Sequence, residues 1–212
     1  MPADRPPPTD AKARRSRRLT QSELAEFLHR LDGYGGTPQI HLALRLLMLT
    51  LVRPGELRAA CWWQFNFQTA QWRVPVVRAG EAAVHVVPLS SAALETVMEL
   101  RQYARDGELL FPGRVAPDRA IDESALRVPL YRVGYRGRVT GLTFRSMARA
   151  VLAERGWARA AIDAQLGFVP RRPRRERPAE DGRADDPRAM LEEWAAHLEG
   201  LRRRAGSGLT TA

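Results

Sequence analysis

The sequence predicts a mainly α-helical domain that carries a small antiparallel β-sheet. Most segments between residues 19 and 204 repeat apolar residues at helical spacing, and several begin with a serine or threonine cap. One stretch, residues 71–89, places alternating or β-branched runs around a short polar loop, as a hairpin does. With 44% hydrophobic residues, a chain of 212 residues is long enough to bury a core.

The amino-terminal part predicts a disordered tail followed by two helices. Residues 1–18 are rich in proline and arginine and hold little to bury, so we expect them to be disordered. Residues 19–31 predict a helix, because Thr20 and Glu23 have the spacing of a capping box before an apolar-periodic run. Residues 38–51 predict a largely buried helix that opens with a proline in its first turn.

The middle of the chain carries the predicted hairpin between two helices. Residues 56–62 predict a short third helix, after a Pro-Gly break. Residues 71–77 and 83–89 predict the two strands, joined by the loop sequence RAGEA. Residues 90–104 predict a helix with a serine cap.

The last third predicts four more helices. The first half of residues 122–135 is helical in pattern, and Pro129 should kink or end that helix. Residues 143–157 form a strong amphipathic pattern, and residues 159–168 predict another helix. Residues 187–204 predict a closing helix with one apolar face.

Charge is concentrated at the two ends of the predicted domain, which spans residues 19–204. The net charge is +10, so an anionic partner is expected, and double-stranded DNA is the first candidate. We expect residues 170–186 to be poorly ordered and residues 205–212 to be a disordered tail, because both are poor in apolar residues. The candidate DNA-binding arginines in the two basic clusters are Arg14, Arg15, Arg17, Arg18, Arg171, Arg172, Arg174 and Arg175. Such clusters are also common as solvated tails, so their function stays open.

Several classes of protein are disfavoured. Cys61 is the sole cysteine, so the chain cannot form an internal disulfide and fits a reducing compartment. No stretch has the pattern of a signal peptide or a membrane-spanning helix. The histidines lack metal-ligand spacing, and His85, in the second predicted strand, is interpreted as structural. We therefore expect neither a metal nor another cofactor, and no membrane partner.

The order of several segments resembles one enzyme family. The segments are LALRLLMLTLVRPGELRAACW, a strand pair ending in HVVPLS, LLFPG, TGLTFRSMARAVLAERGW, AIDAQLGFV and MLEEWAAHL. In this order they resemble the catalytic domain of tyrosine recombinases, specifically phage-type integrases of genomic islands. The resemblance covers about residues 19–204 and implies that family's mainly α fold with a small sheet.

The resemblance implies a phosphate clamp. In that family a tyrosine attacks a DNA phosphodiester without a metal, and two arginines hold the phosphate. Arg53 in VRPGELR matches the first arginine, Glu56 its supporting acid, and Arg145 in TGLTFR the second arginine. We expect Arg53 and Arg145 to face one solvent-accessible concavity. The alternative is that Arg53 and Glu56 pair across the turn for structural reasons alone.

The other family positions hold residues without the required chemistry. Gly80 stands at the position of the hairpin lysine that protonates the leaving oxygen, and Lys12 is the sole lysine of the chain. Leu142 stands at the histidine of the His-x-x-Arg motif, and Phe168 at the later histidine or tryptophan. Counting from either side places the nucleophile position at Pro178. The four tyrosines all precede the second arginine; they are Tyr34, Tyr103, Tyr131 and Tyr135.

These vacancies predict a DNA-binding recombinase homologue that has lost strand cleavage and joining. Only 18 residues precede the first predicted helix, so we expect the family's arm-binding and core-binding modules to be absent and sequence recognition to be weak. Three alternatives stay open: an active recombinase completed in trans, a non-enzymatic subunit that docks on an active integrase through its last helix, and a remnant gene. A DNA-binding role implies a cytoplasmic, nucleoid-associated protein of a bacterium.

Overall fold

The computed structural model describes residues 19–78, 80–104, 107–168 and 186–208, which form eight α-helices and one three-stranded sheet. The helices are α1 Gln21–Asp32, α2 Pro38–Thr50, α3 Pro54–Arg58, α4 Ser91–Leu100, α5 Glu123–Arg132, α6 Gly141–Glu154, α7 Arg159–Gln165 and α8 Pro187–Gly208. The strands are β1 Phe65–Asn66, β2 Gln71–Arg78 and β3 Glu81–Pro88, antiparallel in the order β1-β2-β3. The predicted fold class is therefore confirmed.

Side-chain caps fix the start of two helices as the sequence predicts. The Thr20 hydroxyl accepts from the Glu23 amide at 3.2 Å, and the Glu23 carboxylate accepts from the Thr20 amide at 2.8 Å. The Ser90 hydroxyl accepts from the Ala93 amide at 3.3 Å. Each cap satisfies backbone donors that have no partner within the helix, so α1 and α4 begin where these residues stand.

The hairpin is tighter than predicted, and the sheet has one more strand. β2 and β3 pair from Gln71 opposite Pro88 to Arg78 opposite Glu81, so residues 79–80 alone join them. Gly80 has φ +87°, a left-handed conformation that glycine adopts without strain. The short strand β1 pairs with the start of β2. Two residues are too few to show alternation, so this strand could not be predicted from the sequence.

Several helix boundaries differ from the prediction; the third helix, for example, spans Pro54–Arg58 instead of residues 56–62. Helix α5 runs through Pro129 to Arg132, because the proline ring is buried and its missing N–H removes a single bond of the helix. Helix α6 begins at Gly141, two residues before the predicted start. Helix α8 continues to Gly208, so residues 205–208, expected in the disordered tail, are helical. The basic clusters, residues 170–185 and Pro178 lie outside the described residues.

Helix α8 is held by the core of its own chain. Its apolar face is buried; the residues are Met190, Leu191, Trp194, Leu198 and Leu201. The predicted docking of this helix on another integrase subunit stays a prediction, and it would have to use the outer face of α8 or release the apolar face from the core.

Three consecutive residues attach α8 to three different elements. The Glu192 carboxylate accepts from the amide and hydroxyl of Ser91, at the start of α4, at 2.7 and 2.8 Å. The Glu193 carboxylate accepts from the Trp157 indole, just after α6, at 2.8 Å. The Trp194 indole donates to the Met48 carbonyl in α2 at 2.8 Å. These bonds fix the rotation and height of α8 against the rest of the domain.

Candidate phosphate-binding site

The turn between α2 and α3 presents Arg53. Leu51 ends α2 in the left-handed conformation, with φ 59°, which is costly for a residue with a branched side chain. Val52 is fully buried, so the chain is fixed on both sides of this bend. Arg53 then stands at the cap position of α3, with Pro54 in the first turn of that helix.

Glu56 holds Arg53 through both of its carboxylate oxygens. One oxygen accepts from the Arg53 backbone amide at 2.7 Å, and the other from the guanidinium at 2.8 Å. The Arg53 side chain is 50% exposed, whereas that of Glu56 is 13% exposed. The acid therefore caps α3 and orients the guanidinium, leaving the outer edge of Arg53 open to solvent.

Arg145, in α6, is buried and bonded to two helix ends. Its exposure is 5%, and its guanidinium donates to the Leu51 carbonyl at the end of α2 and to the Leu166 carbonyl at the end of α7. The last carbonyls of a helix lack partners within the helix and carry its negative end, so a cation is favoured there. Arg145 thus ties α6 to α2 and α7.

Arg53 lies close to Arg145, because Arg145 bonds to the Leu51 carbonyl two residues before Arg53. Burial lowers the pKa of Arg145 from its ordinary value, and the positive charge of Arg53 lowers it further, while Glu56 raises it. The structure therefore brings the two predicted arginines and the predicted acid together. The expectation that both arginines are accessible is wrong for Arg145, because its guanidinium is occupied by main-chain carbonyls inside the domain.

A close contact between Gly141 and Pro54 brings the two arginine-bearing segments together. A Cβ atom added at Gly141 would overlap the Pro54 ring. The first residue of α6 therefore has to be glycine for this helix to reach the turn that carries Arg53. In the TGLTFR segment, Gly141 is a positioning residue for the site.

Apolar side chains occupy the two family positions near Arg145. Leu142, one turn before Arg145, is 66% exposed, and Phe168 is 49% exposed. The centroid of the Phe168 ring is 5.7 Å from the guanidinium carbon of Arg145 and 5.5 Å from that of Arg149. Arg149 also pairs with Asp163 of α7. The ring therefore makes cation–π contacts with two guanidiniums, and it offers no hydrogen-bond donor to a ligand.

No tyrosine of the described part contacts either arginine of the site through a hydrogen bond or a ring contact. Tyr135 is buried, its hydroxyl donates to the Glu23 carbonyl at 3.2 Å, and burial raises its pKa. Tyr34 stacks on His41, and Tyr131 lies under Arg136. Gly80 is exposed at the hairpin turn, and Pro178 and the eight candidate DNA-binding arginines lie outside the described residues.

Some residues that build the site carried no usable signal in the sequence. Gln165 donates to the Thr50 carbonyl at 3.1 Å, next to the bond from Arg145 to Leu51. Arg149 and Asp163 pair across two helices. These contacts join residues far apart in sequence, so periodicity could not reveal them. Gly141 could have been singled out, since a glycine at a helix start indicates a close approach.

Two other kinds of site are absent from the described ranges. No group of three or more His, Cys, Asp or Glu residues there is arranged to hold a metal ion. None of the described helices is both long enough and apolar enough to span a membrane.

Residues 17–171 match the model of the phage integrase family. The integrase of Enterobacteria phage P4 is 35% identical over 204 residues, which is 89% of this chain and 46% of that protein. The chain thus spans about half the length of the curated relatives it matches.

Two solved structures resemble the fold. The crystal structure of XerA recombinase matches with a TM-score of 0.56 and 16% identity, covering 88% of this chain and 64% of that chain. The Tn1549 transposon integrase, in complex with circular intermediate DNA, matches with a TM-score of 0.60 and 14% identity, covering 73% and 59%. At these identities the likeness concerns the fold alone.

Proposed function

The chain belongs to the phage integrase family, and from this membership we propose that it is a DNA-binding recombinase homologue that contacts backbone phosphates without cleaving the strand. The family is one of DNA integration and recombination. The observation that carries the proposal is that Leu142 and Phe168, both near Arg145 in the structure or the sequence, are apolar at positions where the resemblance implies hydrogen-bond donors.

Leu142 and Phe168 have apolar side chains at positions where a reacting phosphate needs hydrogen-bond donors. Both side chains are about half exposed or more, so they reach the surface of the site. Loss of one donor to a developing charge typically costs about 10²–10³ in rate. Two such losses, with Gly80 at the lysine position and Pro178 at the nucleophile position, argue against strand cleavage.

The binding half of the proposal rests on Arg53 and on net charge. The Arg53 guanidinium is half exposed and pre-oriented by Glu56, which suits contact with one phosphate. The net charge of +10 adds a long-range attraction to DNA. XerH recombinase and the Tn1549 integrase, which share the fold, were solved with DNA bound. We propose that this chain also binds duplex DNA, and that the eight arginines of the two basic clusters make further contacts with it.

Fluorescence anisotropy on random-sequence duplexes at several salt concentrations tests binding. We expect affinity to fall steeply with salt, with a slope that grows by about 0.9 for each phosphate neutralised. Deleting residues 1–18, which hold six basic and two acidic residues, should reduce the slope more than Arg53→Ala does. Glu81→Gln, a change on an exposed hairpin residue, is the control for nonspecific charge effects. Absence of binding at low salt would overturn this half.

Restoration of the vacant positions tests the loss of cleavage. The unmodified chain should leave no covalent protein–DNA adduct on a denaturing gel, whereas the combined variant G80K/L142H/F168H/P178Y should gain one. A variant with P178F in place of P178Y is the matched control and should gain none. An adduct formed by the unmodified chain, and removed when one of its four tyrosines is changed to phenylalanine, would overturn the proposal.

Such a chain is a pseudoenzyme of a mobile genetic element that acts on bacterial DNA in the cytoplasm. Completion by a tyrosine supplied in trans predicts an adduct only when a full-length integrase is added. The mixing experiment with a tyrosine-to-phenylalanine integrase as control therefore separates the two functions.

A further inference from the structure

A column of stacked aromatic rings runs from the core to Arg101, in the 3₁₀ turn that follows α4. The Trp72 ring of β2 stacks on Phe65 of β1, with 5.0 Å between centroids, and Phe65 stacks on Phe67 at 6.4 Å. The Arg101 guanidinium carbon lies 4.5 Å from the centroid of the Phe67 ring. Trp72 is fully buried and Arg101 is exposed, so the column holds a surface arginine against the core.

Stacking positions Arg101 but leaves its hydrogen-bond donors uncommitted. The guanidinium carbon also lies 5.9 Å from the centroid of the Trp62 ring. Among the residues that the structure describes, this guanidinium makes neither a hydrogen bond nor an ion pair. The N–H groups lie in the plane of the guanidinium, so a cation stacked on a ring can still bind a planar acceptor through two parallel bonds.

A cleft of about 370 Å³ opens beside this guanidinium. Trp62, Phe67 and Arg101 line it, together with Ala104 and Gly107. The cleft therefore combines apolar rings with a single cation.

An exposed tryptophan adds apolar area next to this cleft. Trp63 follows Trp62 in the same 3₁₀ turn and is 66% exposed. Tryptophan and arginine are the side chains most enriched among residues that dominate the energy of protein–protein binding. Trp62, Trp63, Phe67 and Arg101, which we call the Trp63–Arg101 surface, therefore have the composition of a protein-binding site.

The local charge disfavours DNA at this surface. Glu108 is adjacent, because its carbonyl accepts from the Trp62 amide at 2.8 Å. Burial, and then the charge of Glu108, raises the pKa of Cys61, the residue before Trp62. One guanidinium beside one carboxylate gives no net charge, whereas duplex DNA is bound by several cations. A single carboxylate flanked by apolar groups would instead satisfy Arg101 and cover the rings.

We propose that the Trp63–Arg101 surface docks a partner protein through an exposed segment in which an Asp or Glu stands next to an apolar side chain. The carboxylate accepts two bonds from Arg101, and the apolar side chain enters the cleft against Trp62 and Phe67. Since the aromatic column already orders Arg101, most of the entropy cost of docking falls on the segment. This contact is separate from DNA binding and does not rest on the proposed function.

Selection of displayed random dodecapeptides on the full chain, without DNA, provides a probe of this surface. We expect the enriched sequences to share an Asp or Glu next to Leu, Ile, Phe or Trp. The most enriched peptide is then synthesised and its affinity measured by fluorescence anisotropy. Enrichment of no common sequence, or of one that lacks an acid, overturns the proposal.

Variants of the chain locate the bound peptide. Arg101→Ala and Trp63→Ala should each weaken peptide binding at least about tenfold. Arg73→Ala, at another exposed arginine of the sheet, removes the same charge and should change affinity less than about twofold. Replacing the acid of the peptide by its amide should weaken binding to the unmodified chain but cause no further loss in Arg101→Ala, because the two changes remove the same contact.

The pattern of losses decides the outcome, with circular dichroism confirming that every variant is folded. Losses confined to Arg101→Ala and Trp63→Ala, together with the non-additive peptide change, support the proposal. An equal loss in Arg73→Ala reduces the effect to general charge and overturns it. A fall in duplex-DNA affinity in Arg101→Ala and Trp63→Ala that exceeds the fall in Arg73→Ala assigns the surface to DNA and also overturns it.

Discussion

Arg53 and Arg145 have the same side chain and the same implied role, yet their surroundings differ. Arg53 is half exposed and held by one carboxylate, whereas Arg145 is buried and held by the carbonyl ends of two helices. The first is free to meet a ligand, and the second joins three helices. A family motif therefore identifies which residues come together, but burial decides which of them is structural and which can bind.

The largest expected effect is the loss of Arg145. Arg145→Ala leaves two buried carbonyls without donors, and each unsatisfied acceptor costs roughly 1–3 kcal/mol, so we expect unfolding to become easier by about 2–6 kcal/mol. Arg145→Lys keeps the charge but loses the planar fork that reaches both carbonyls, and should cost nearly as much. Urea denaturation monitored by circular dichroism measures both. If either variant is as stable as Arg53→Ala, the comparison is wrong.

The contact that brings the two regions together is expected to be next in size. Gly141→Ala introduces a methyl group into the Pro54 ring, which should cost about 1–3 kcal/mol and shift Arg53 relative to Arg145. Gly55→Ala is the matched control, since its Cβ would meet nothing within 4 Å and alanine favours the helix. Denaturation and the salt slope of DNA binding report the two effects. Equal stability of both variants would remove the role given to Gly141.

His197, like Arg145, has a pKa that is lowered by burial and by neighbouring arginines. Because histidine titrates near neutral pH, the effect on stability can be measured for His197. Burial lowers the pKa of His197, and the charges of Arg155 and then Arg204 lower it further, while Glu154 raises it. The Arg155 guanidinium lies 3.0 Å from the Nδ1 atom, which it can contact as a donor when the ring is neutral. As the pH drops below about 6.5, His197 takes up a proton in the unfolded chain but not in the folded chain. The free energy of unfolding therefore decreases as the pH is lowered.

Unfolding free energies between pH 7.5 and roughly pH 5 measure this slope. His197→Gln should reduce it, and His29→Gln, at an exposed histidine, should not. An unchanged slope in His197→Gln would assign the pH dependence to other groups.

The smallest effect on stability is expected for Arg53. Arg53→Ala removes a half-exposed ion pair, and such pairs contribute about 0–1 kcal/mol. Its consequence should appear instead in DNA affinity, as a modest uniform loss across duplex sequences. The comparison with Glu81→Gln separates this contact from a general change of charge. A loss of stability as large as that of Arg145→Ala would make Arg53 structural too.

Local patterns in the sequence determined the fold class and the identity of the site residues. The caps at Thr20 and Ser90, the hairpin and the family motifs around Arg53 and Arg145 all rest on residues close together in the chain. The residues of each such pattern are separated by no more than a few positions in the chain, so the pattern can be recognised from the sequence alone. Exact boundaries, the strand β1 and the passage of α5 through Pro129 depended on packing against other elements.

Tertiary structure alone decided which arginine is buried, where Phe168 rests and what covers α8. Arg145 bonds to Leu51 and Leu166, which lie 94 and 21 residues away in the chain. Trp194 bonds to Met48 across 146 residues. Burial depends on which distant segments meet, and no periodicity within a segment encodes that meeting. The sequence therefore determined what the site contains, and the packing of distant helices decided what each residue in it is free to do.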